Sequence, residues 1–447
     1  MRTLIPLGLA GLLAATAGPA TAAALTQPAA GRGCITEAGA EGCAAGRALD
    51  GLADIAMSRD GRHVYAVAQL SRAVAVLSRS RRTGVLRQPP GSAGCVSDLT
   101  AGCRAARNLA VARAAAISRD DRFLYVATDG GLAVFARRRD GSLRQLPGER
   151  GCVREDGALG CATARAVHGG RAVTLSPDGR TVYASGLSSA VSIFRRNPST
   201  GALTQLRGAR GCIEERTLAP QGCARGRGLV AGRSLLAVRD RLYAGSLGVG
   251  AVPAAVAVFE RGRRGALRQL AGGRGCLNAA GTNGCARVRG LLGVHDIVPR
   301  PGRRALYVAG STDPSDGGIA VLALRRGARL RQPAGPRGCF TPDGSSGCTP
   351  MRGLLGAHTL TFSRDGRSAY VTSEVAAGTL AVLRGRRRLR QPRGGRWCLN
   401  ADGAEGCSRA RALRGAHQAL LSRDERHVYV AALFGDGVVA LHQNGRR

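Results

Sequence analysis

Residues 175–206 read LSPDGRTVYASGLSSAVSIFRRNPSTGALTQL: a turn, two apolar runs, a second turn and a third run. Asp-Gly between apolar runs is a hairpin signal, because glycine takes up the positive φ that a tight turn needs. The same unit recurs with Tyr65, Tyr125, Tyr183, Tyr243, Tyr307, Tyr370 and Tyr429 in one register, and these are all the tyrosines in the chain. Successive tyrosines stand 58 to 64 residues apart. The chain is therefore an array of seven repeats, and that period decides the architecture before any local reading does.

Each repeat carries four expected strands. The first is apolar and ends in a turn such as SRDG (58–61), SPDG (176–179) or SRDG (363–366), where Asp60, Asp178 and Asp365 cap the turn backbone. The second holds the tyrosine, as in HVYAVA (63–68) and HVYVAA (427–432). The third follows, as in AVAVL (73–77) and AVSIF (190–194), and the fourth is a Leu-x-Gln segment at 86–88, 143–145, 203–205, 267–269, 330–332 and 389–391. Short β-branched runs without a helical period give an all-β fold, a seven-bladed β-propeller with four-stranded blades. The last repeat stops at its third strand (438–441), and Leu25-Thr26-Gln27 matches the missing fourth. The N-terminal strand is thus expected to complete the last blade and close the ring, which removes the free sheet edges that invite aggregation.

The chain opens MRTLIPLGLAGLLAATAGPATAAA: one arginine, an apolar run from about Leu4 to Ala17, then small residues suited to cleavage. This reads as a secretory signal over residues 1–24, with residues 25–447 as one propeller domain. The apolar run is too short to span a bilayer and no later stretch is longer, so no membrane span is expected. Fourteen cysteines fall into seven local pairs: Cys34/Cys43, Cys95/Cys103, Cys152/Cys161, Cys212/Cys223, Cys276/Cys285, Cys339/Cys348 and Cys398/Cys407. Zinc sites bring closely spaced ligands, four per metal, whereas one pair per repeat matches a loop-closing disulfide. No metal and no cofactor are assigned. Together these features place the protein outside the cell or at the exterior of its envelope.

The net charge of +37 comes from arginine alone, since there is no lysine. One reading is compositional, with arginine wherever a solvated cation is tolerated; the other is attraction to a polyanion such as nucleic acid, an acidic cell-surface polymer or an anionic membrane face. Stacking on nucleic acid needs exposed aromatics among the cations, and here the tyrosines and Phe135, Phe194 and Phe259 lie in strand registers that look like core. The compositional reading is preferred, specific nucleic-acid binding is not expected, and adhesion to acidic polymers stays open.

The SPDGRTVY turn and strand, the AVSIF strand and the STGALTQL exit resemble the YVTN-type repeats of the seven-bladed propellers grouped with 6-phosphogluconolactonase and the carboxymuconate-cyclising enzymes. The resemblance covers the four strands of every repeat but not the cysteine loops. It implies a lactonase-type hydrolase whose site uses a His-x-His start to an inner strand and an Asp-Leu-Gly loop between the second and third strands. This chain keeps only the second histidine in Gly356-Ala357-His358 and Gly415-Ala416-His417, and the corresponding loops read SGLSSA, GSTDPSDGG and ALFGDGV.

Counting five residues back from each first-strand turn gives one position at the mouth end of every inner strand: Ala53, Arg113, Arg171, Arg233, His295, His358 and His417. Three arginines thus occupy consecutive blades and three histidines the next three. Loops on the histidine side add Asp313, Asp316, Glu374 and Asp436, with Asp296 beside His295. The long cysteine loops are expected to crowd the same mouth. Histidine with carboxylate is raw material for a metal site or an acid/base pair, and the arginines suit an anionic ligand. The expected ligand-binding residues are Arg113, Arg171, Arg233, His295, His358 and His417, and the catalytic candidates are His358, His417 and Glu374. His168 falls out of register, and His63, His427 and His442 are expected in solvated polar roles. Trp397 is expected to pack over the disulfide of Cys398.

The leading reading is an exported, disulfide-stapled propeller, monomeric, that binds a small anionic or carbohydrate ligand or an acidic cell-surface polymer. The alternatives are a lactonase-type hydrolase acting on a sugar-acid lactone, and electrostatic adhesion to acidic polymers.

Overall fold

The computed structural model describes residues 25–325 and 329–443. Residues 1–24, where the secretory signal is expected, lie outside the described residues. Seven sheets, antiparallel but for the outermost strand, follow one another along the chain, and neighbouring inner strands touch in cyclic order, with Ala416–Leu421 meeting Leu52–Met57. Leu25–Thr26 and Cys34–Glu37 both pair with Gly437–Gln443, so the N-terminal segment completes the last blade as expected.

The expected four strands per blade are corrected upward. In the first blade, Leu52–Met57, His63–Ala68 and Ala73–Arg79 form an antiparallel meander. The fourth position is split: Leu86–Arg87 pairs with one end of the third strand, the chain bulges out through a 3-10 turn at Gly91–Ala93, and Cys95–Ser97 rejoins the ladder at the other end. Arg104–Ala105 then adds a parallel strand outside it. Six sheets have six strands and the one containing Thr379–Arg384 has five.

This extra pairing moves the cysteines, and the expectation that their loops crowd the channel mouth is corrected. Cys34, Cys95, Cys152, Cys212, Cys276, Cys339 and Cys398 each open a strand of the ladder and do not sit in a loop. Cys43, Cys103, Cys161, Cys223, Cys285, Cys348 and Cys407 each stand one residue ahead of the outermost parallel strand, at the rim of the ring. The physical reason is that the chain between the two cysteines turns back on itself, so that its far end can hydrogen-bond along the blade's outer edge. All seven pairs are bonded as the sequence indicates: Cys34–Cys43, Cys95–Cys103, Cys152–Cys161, Cys212–Cys223, Cys276–Cys285, Cys339–Cys348 and Cys398–Cys407. Their Cα separations run from 4.6 to 4.9 Å. Of the second cysteines, Cys43, Cys161, Cys223, Cys285, Cys348 and Cys407 are buried and Cys103 is half-buried, so these bridges act as small packing elements as well as staples. Seven such bridges belong to an oxidising compartment. Among the described residues no helix is long and apolar enough to cross a membrane.

The core lies between blades. His63–Ala68 is buried at all six positions, because each sheet is covered on both faces by its neighbours. Tyr65, Val67, Val74 and Val76 of the first blade pack with Leu124, Val126 and Phe135 of the second. Four of the buried phenols reach across the seam in one pattern. Tyr65 donates to the Gly141 carbonyl at 2.9 Å and accepts from Nε of Arg137 at 2.6 Å. Tyr125 repeats this with Gly201 and Arg196, Tyr183 with Gly265 and Arg261, and Tyr429 with Gly84 and Arg79.

His63 and His427 are buried beside these guanidiniums, with Nδ1 3.1 Å from Nη2 of Arg137 and 3.0 Å from Nη2 of Arg79. Their expected solvated role is therefore corrected, because the seam that buries the tyrosine buries the strand's first residue too. The Gln of the fourth strand is a second seam device: Gln88 accepts from the Arg47 amide and donates to the Arg47 and Gly94 carbonyls, and Gln145 does the same around Arg107. Repetition thus gives many arginines a place in the fold. Trp397 is buried beside Cys398 with the Arg384 guanidinium 5.6 Å from its ring centre.

Candidate functional site

The seven mouth positions share one backbone device. Where the first strand meets the second, the pairing slips: between Leu52 and Asp54, Gly170 and Ala172, Gly232 and Ser234, Ala357 and Leu360, and Ala416 and Gln418. The residues at these slips are Ala53, Arg171, Arg233, His358 and His417. Arg113 and His295 join the set, because their amides donate to the Ala127 and Ala309 carbonyls, the residues that Ala114 and Asp296 already oppose. A bulge inserts a residue outside the two-residue alternation and re-aims its side chain. Six long polar side chains are thereby gathered at one end of the ring, while the seventh position holds the buried methyl of Ala53.

On the histidine side the rings follow one another at a tilt: His295 and His358 centres are 4.4 Å apart with their planes at 50°, and His358 and His417 centres 3.7 Å apart at 45°. Glu374, from the loop after Ser368–Ser373, brings Oε2 to 3.3 Å from Nε2 of His358 and 3.6 Å from Nε2 of His417. The other ring nitrogen of His358 donates to the His417 carbonyl at 3.0 Å. His295 turns Nε2 to the Ser311 carbonyl at 3.2 Å. Burial pushes His417 down to about 3 and His295 down to about 4, with Arg233 adding to both, and it holds His358 well below the ordinary imidazole range. All three imidazoles are neutral at physiological pH. Burial also raises Glu374, against the opposing pull of Arg233 and Arg113.

On the arginine side the guanidiniums feel one another. Burial lowers Arg113 to about 10 and also lowers Arg233, and in each case Arg171 adds repulsion. Nε of Arg113, Nε and Nη1 of Arg171 and Nε of Arg233 are buried with no acceptor among the described residues. A buried donor without a partner costs on the order of 1–3 kcal/mol, more when charged, so a group that supplied acceptors here would be held favourably. Asp129, at the end of the second strand of the second blade, acts on Arg113 and Arg171 through space. Sequence reasoning missed it; its position in the same loop that yields Glu374 four blades later was the available signal.

The other carboxylates do not join the cluster. Asp313 and Asp316 bond within their own loop, to Ser315 and to Thr312. Asp436 accepts from the Gly51 amide. Asp296 is turned across a blade seam, where Oδ2 accepts from the Leu360 amide at 3.1 Å and burial raises it to about 6. Asp54 does the same for Ala115 at 2.7 Å and stands at about 7. These two stitch inner-strand edges together. The cysteine pairs lie at the rim and contribute no group to the mouth.

The mouth therefore offers three guanidiniums with Asp129 near two of them, and Glu374 beside three neutral imidazoles. Such a set can seat an anion, orient a water on Glu374 or the imidazoles, or ligate a metal through the histidine side. Two hollows, each about 530 Å³, open at the opposite end of the channel among the first-strand turns, around Met57, Ile117 and Arg119 and around Ser176 and Arg239. They bring together no comparable cluster.

Residues 50–212 match the family model described as Lactonase, 7-bladed beta-propeller. No curated protein sequence matches the chain. Among solved structures, a candidate 6-phosphogluconolactonase from Bacteroides uniformis is 17% identical with a TM-score of 0.50, over 75% of this chain and 82% of that one. A candidate 6-phosphogluconolactonase from Bacteroides fragilis is 16% identical with a TM-score of 0.51 over the same shares. A chain of Kuenenia stuttgartiensis hydrazine synthase is 13% identical with a TM-score of 0.53, over 89% of this chain and 97% of that one. At these identities the likeness is one of fold, and the three neighbours do not share one chemistry.

Proposed function

We propose that this lactonase-type seven-bladed propeller is an exported protein that binds a small carboxylate- or phosphate-bearing ligand, such as a sugar acid, in its channel mouth. The observation that carries the reading is the trio Arg113, Arg171 and Arg233, whose buried N–H groups face one channel without acceptors. An anion would satisfy those donors and offset three like charges at once. The neutral imidazoles and Glu374 on the far side would meet the ligand's hydroxyl groups. Export rests on the N-terminal segment and the seven rim disulfides.

Hydrolysis of a lactone or ester is the second reading, favoured by the family match over residues 50–212. In it the arginines hold the acid group and a developing oxyanion, while Glu374 and His358 orient the attacking water.

The test is calorimetric titration of the mature protein with aldonic acids, uronic acids and sugar phosphates, beside release of acid from the matching lactones. Binding by wild type is expected, and Arg171→Gln should weaken it about 10- to 100-fold, the weight of a charge-assisted hydrogen bond. His358→Ala with His417→Ala should abolish it. Unchanged binding in both variants would sink the reading, whereas acid release that is lost together with binding in Arg171→Gln would favour the second.

A further inference from the structure

Three electron-pair donors converge at the histidine side. The Nδ1–H of His358 is committed to the His417 carbonyl, a group that also accepts from the hydroxyls of Thr372 at 2.9 Å and Thr359 at 3.2 Å. His358 therefore presents a bare lone pair at Nε2, and it presents it to a carboxylate oxygen 3.3 Å away. Nε2 of His417 faces the same oxygen at 3.6 Å, and the ligating atoms of the three residues all lie within 4.8 Å of one another. Lone pairs this close repel unless a proton or a metal ion lies among them, and a proton joins only two of the three atoms whereas one metal ion accepts from all of them.

We propose that His358, His417 and Glu374 bind a first-row divalent metal ion of the zinc type through Nε2, Nε2 and a carboxylate oxygen, with a further coordination position open to the channel. Two imidazoles and one carboxylate form a borderline donor set that suits zinc, cobalt or nickel; calcium and magnesium take mostly oxygen. A ring nitrogen held by a backbone carbonyl is the arrangement that orients a metal-binding histidine and keeps the outward nitrogen deprotonated. The ring centres of His358 and His417, 3.7 Å apart, must spread slightly to admit the ion.

The surroundings set a condition on the site. Arg113 and Arg233 act on Glu374 through space, so a bare dication meets repulsion. An anion in the open position, hydroxide or a ligand carboxylate, relieves it. Metal and anion should therefore strengthen each other's binding by the same factor. The inference stands on the histidine side alone and does not rest on the anion-binding reading.

The experiment uses the mature protein stripped with chelator, loaded with zinc or cobalt, desalted and assayed for metal by mass spectrometry. About one ion per chain is expected, and the cobalt form should show the visible absorption of a low-coordinate nitrogen and oxygen site. Glu374→Gln and His358→Gln should each weaken zinc binding by at least about 100-fold while circular dichroism stays that of wild type. Folded wild type that retains only trace metal overturns the proposal. So does undiminished binding in both variants, which would place the ion elsewhere, for example at His427 and His442. Titrating the stripped protein with anions alone keeps failure here separate from failure of the anion site.

Discussion

The Tyr429 hydroxyl donates to the Gly84 carbonyl at 2.7 Å, joining the last repeat to the first across 345 residues of chain. The same phenol oxygen accepts from Nε of Arg79 at 2.6 Å. Tyr429→Phe keeps the ring in the core and strands both partners, at a cost of about 1–3 kcal/mol. Urea unfolding should show a lower midpoint with an unchanged slope, and an unchanged midpoint would mean the seam does not depend on this bond.

Asp54 gives stability a pH dependence of known sign. Burial holds its folded pKa at about 7, above the value of an exposed aspartate. The folded state thus keeps a proton that the unfolded chain gives up, and stability from this group is present at low pH and lost as pH rises through about 7. Asp54→Asn should therefore compare more favourably with wild type at about pH 8 than at about pH 5. The mouth histidines, with depressed values, tilt the opposite way, but both proteins carry them and they cancel in the difference. Thermal midpoints across this range provide the check; a constant difference would refute the assignment.

Removing one rim bridge should act locally. Cys152→Ser with Cys161→Ser frees a nine-residue separation and should cost roughly 2–3 kcal/mol in the chain-entropy account. Hydrogen exchange should quicken over residues 152–163, while the inner strand Gly170–Leu175 keeps its protection.

Charge-driven adhesion and mouth binding separate by salt. With a net charge of +37, attachment to an acidic polysaccharide should fall steeply as salt rises. It should survive His358→Ala with His417→Ala, whereas small-anion binding should not. A polymer interaction insensitive to salt would argue against the electrostatic account.

The ring and the mouth were legible because repetition converts sequence position into spatial position. Once the tyrosines set the register, His358 and His417 fall on equivalent bulges of neighbouring blades, and Arg113, Arg171 and Arg233 follow by the same count. The pairing of cysteines was legible too, but not their place. Cys95–Ser97 and Arg104–Ala105 are strands of three and two residues, too short for alternation to register, so the rim that carries Cys43, Cys103, Cys161, Cys223, Cys285, Cys348 and Cys407 reads as loop. Glu374 is singled out from Asp313, Asp316 and Asp436 as the carboxylate to join the histidines, but Asp129, in the equivalent loop of the second blade, is not, since loop geometry decides which carboxylate leans inward. His63 and His427 read as polar strand ends because the neighbouring guanidinium that makes their burial tolerable comes from another repeat.

Each disulfide stays within its own sheet, and none crosses from the N-terminal segment to the strand it completes. Reduction therefore loosens the perimeter and leaves the clasp, while heat or denaturant undoes the clasp with every rivet intact. A chain that has come apart under oxidising conditions still carries seven small closed loops, one for each blade.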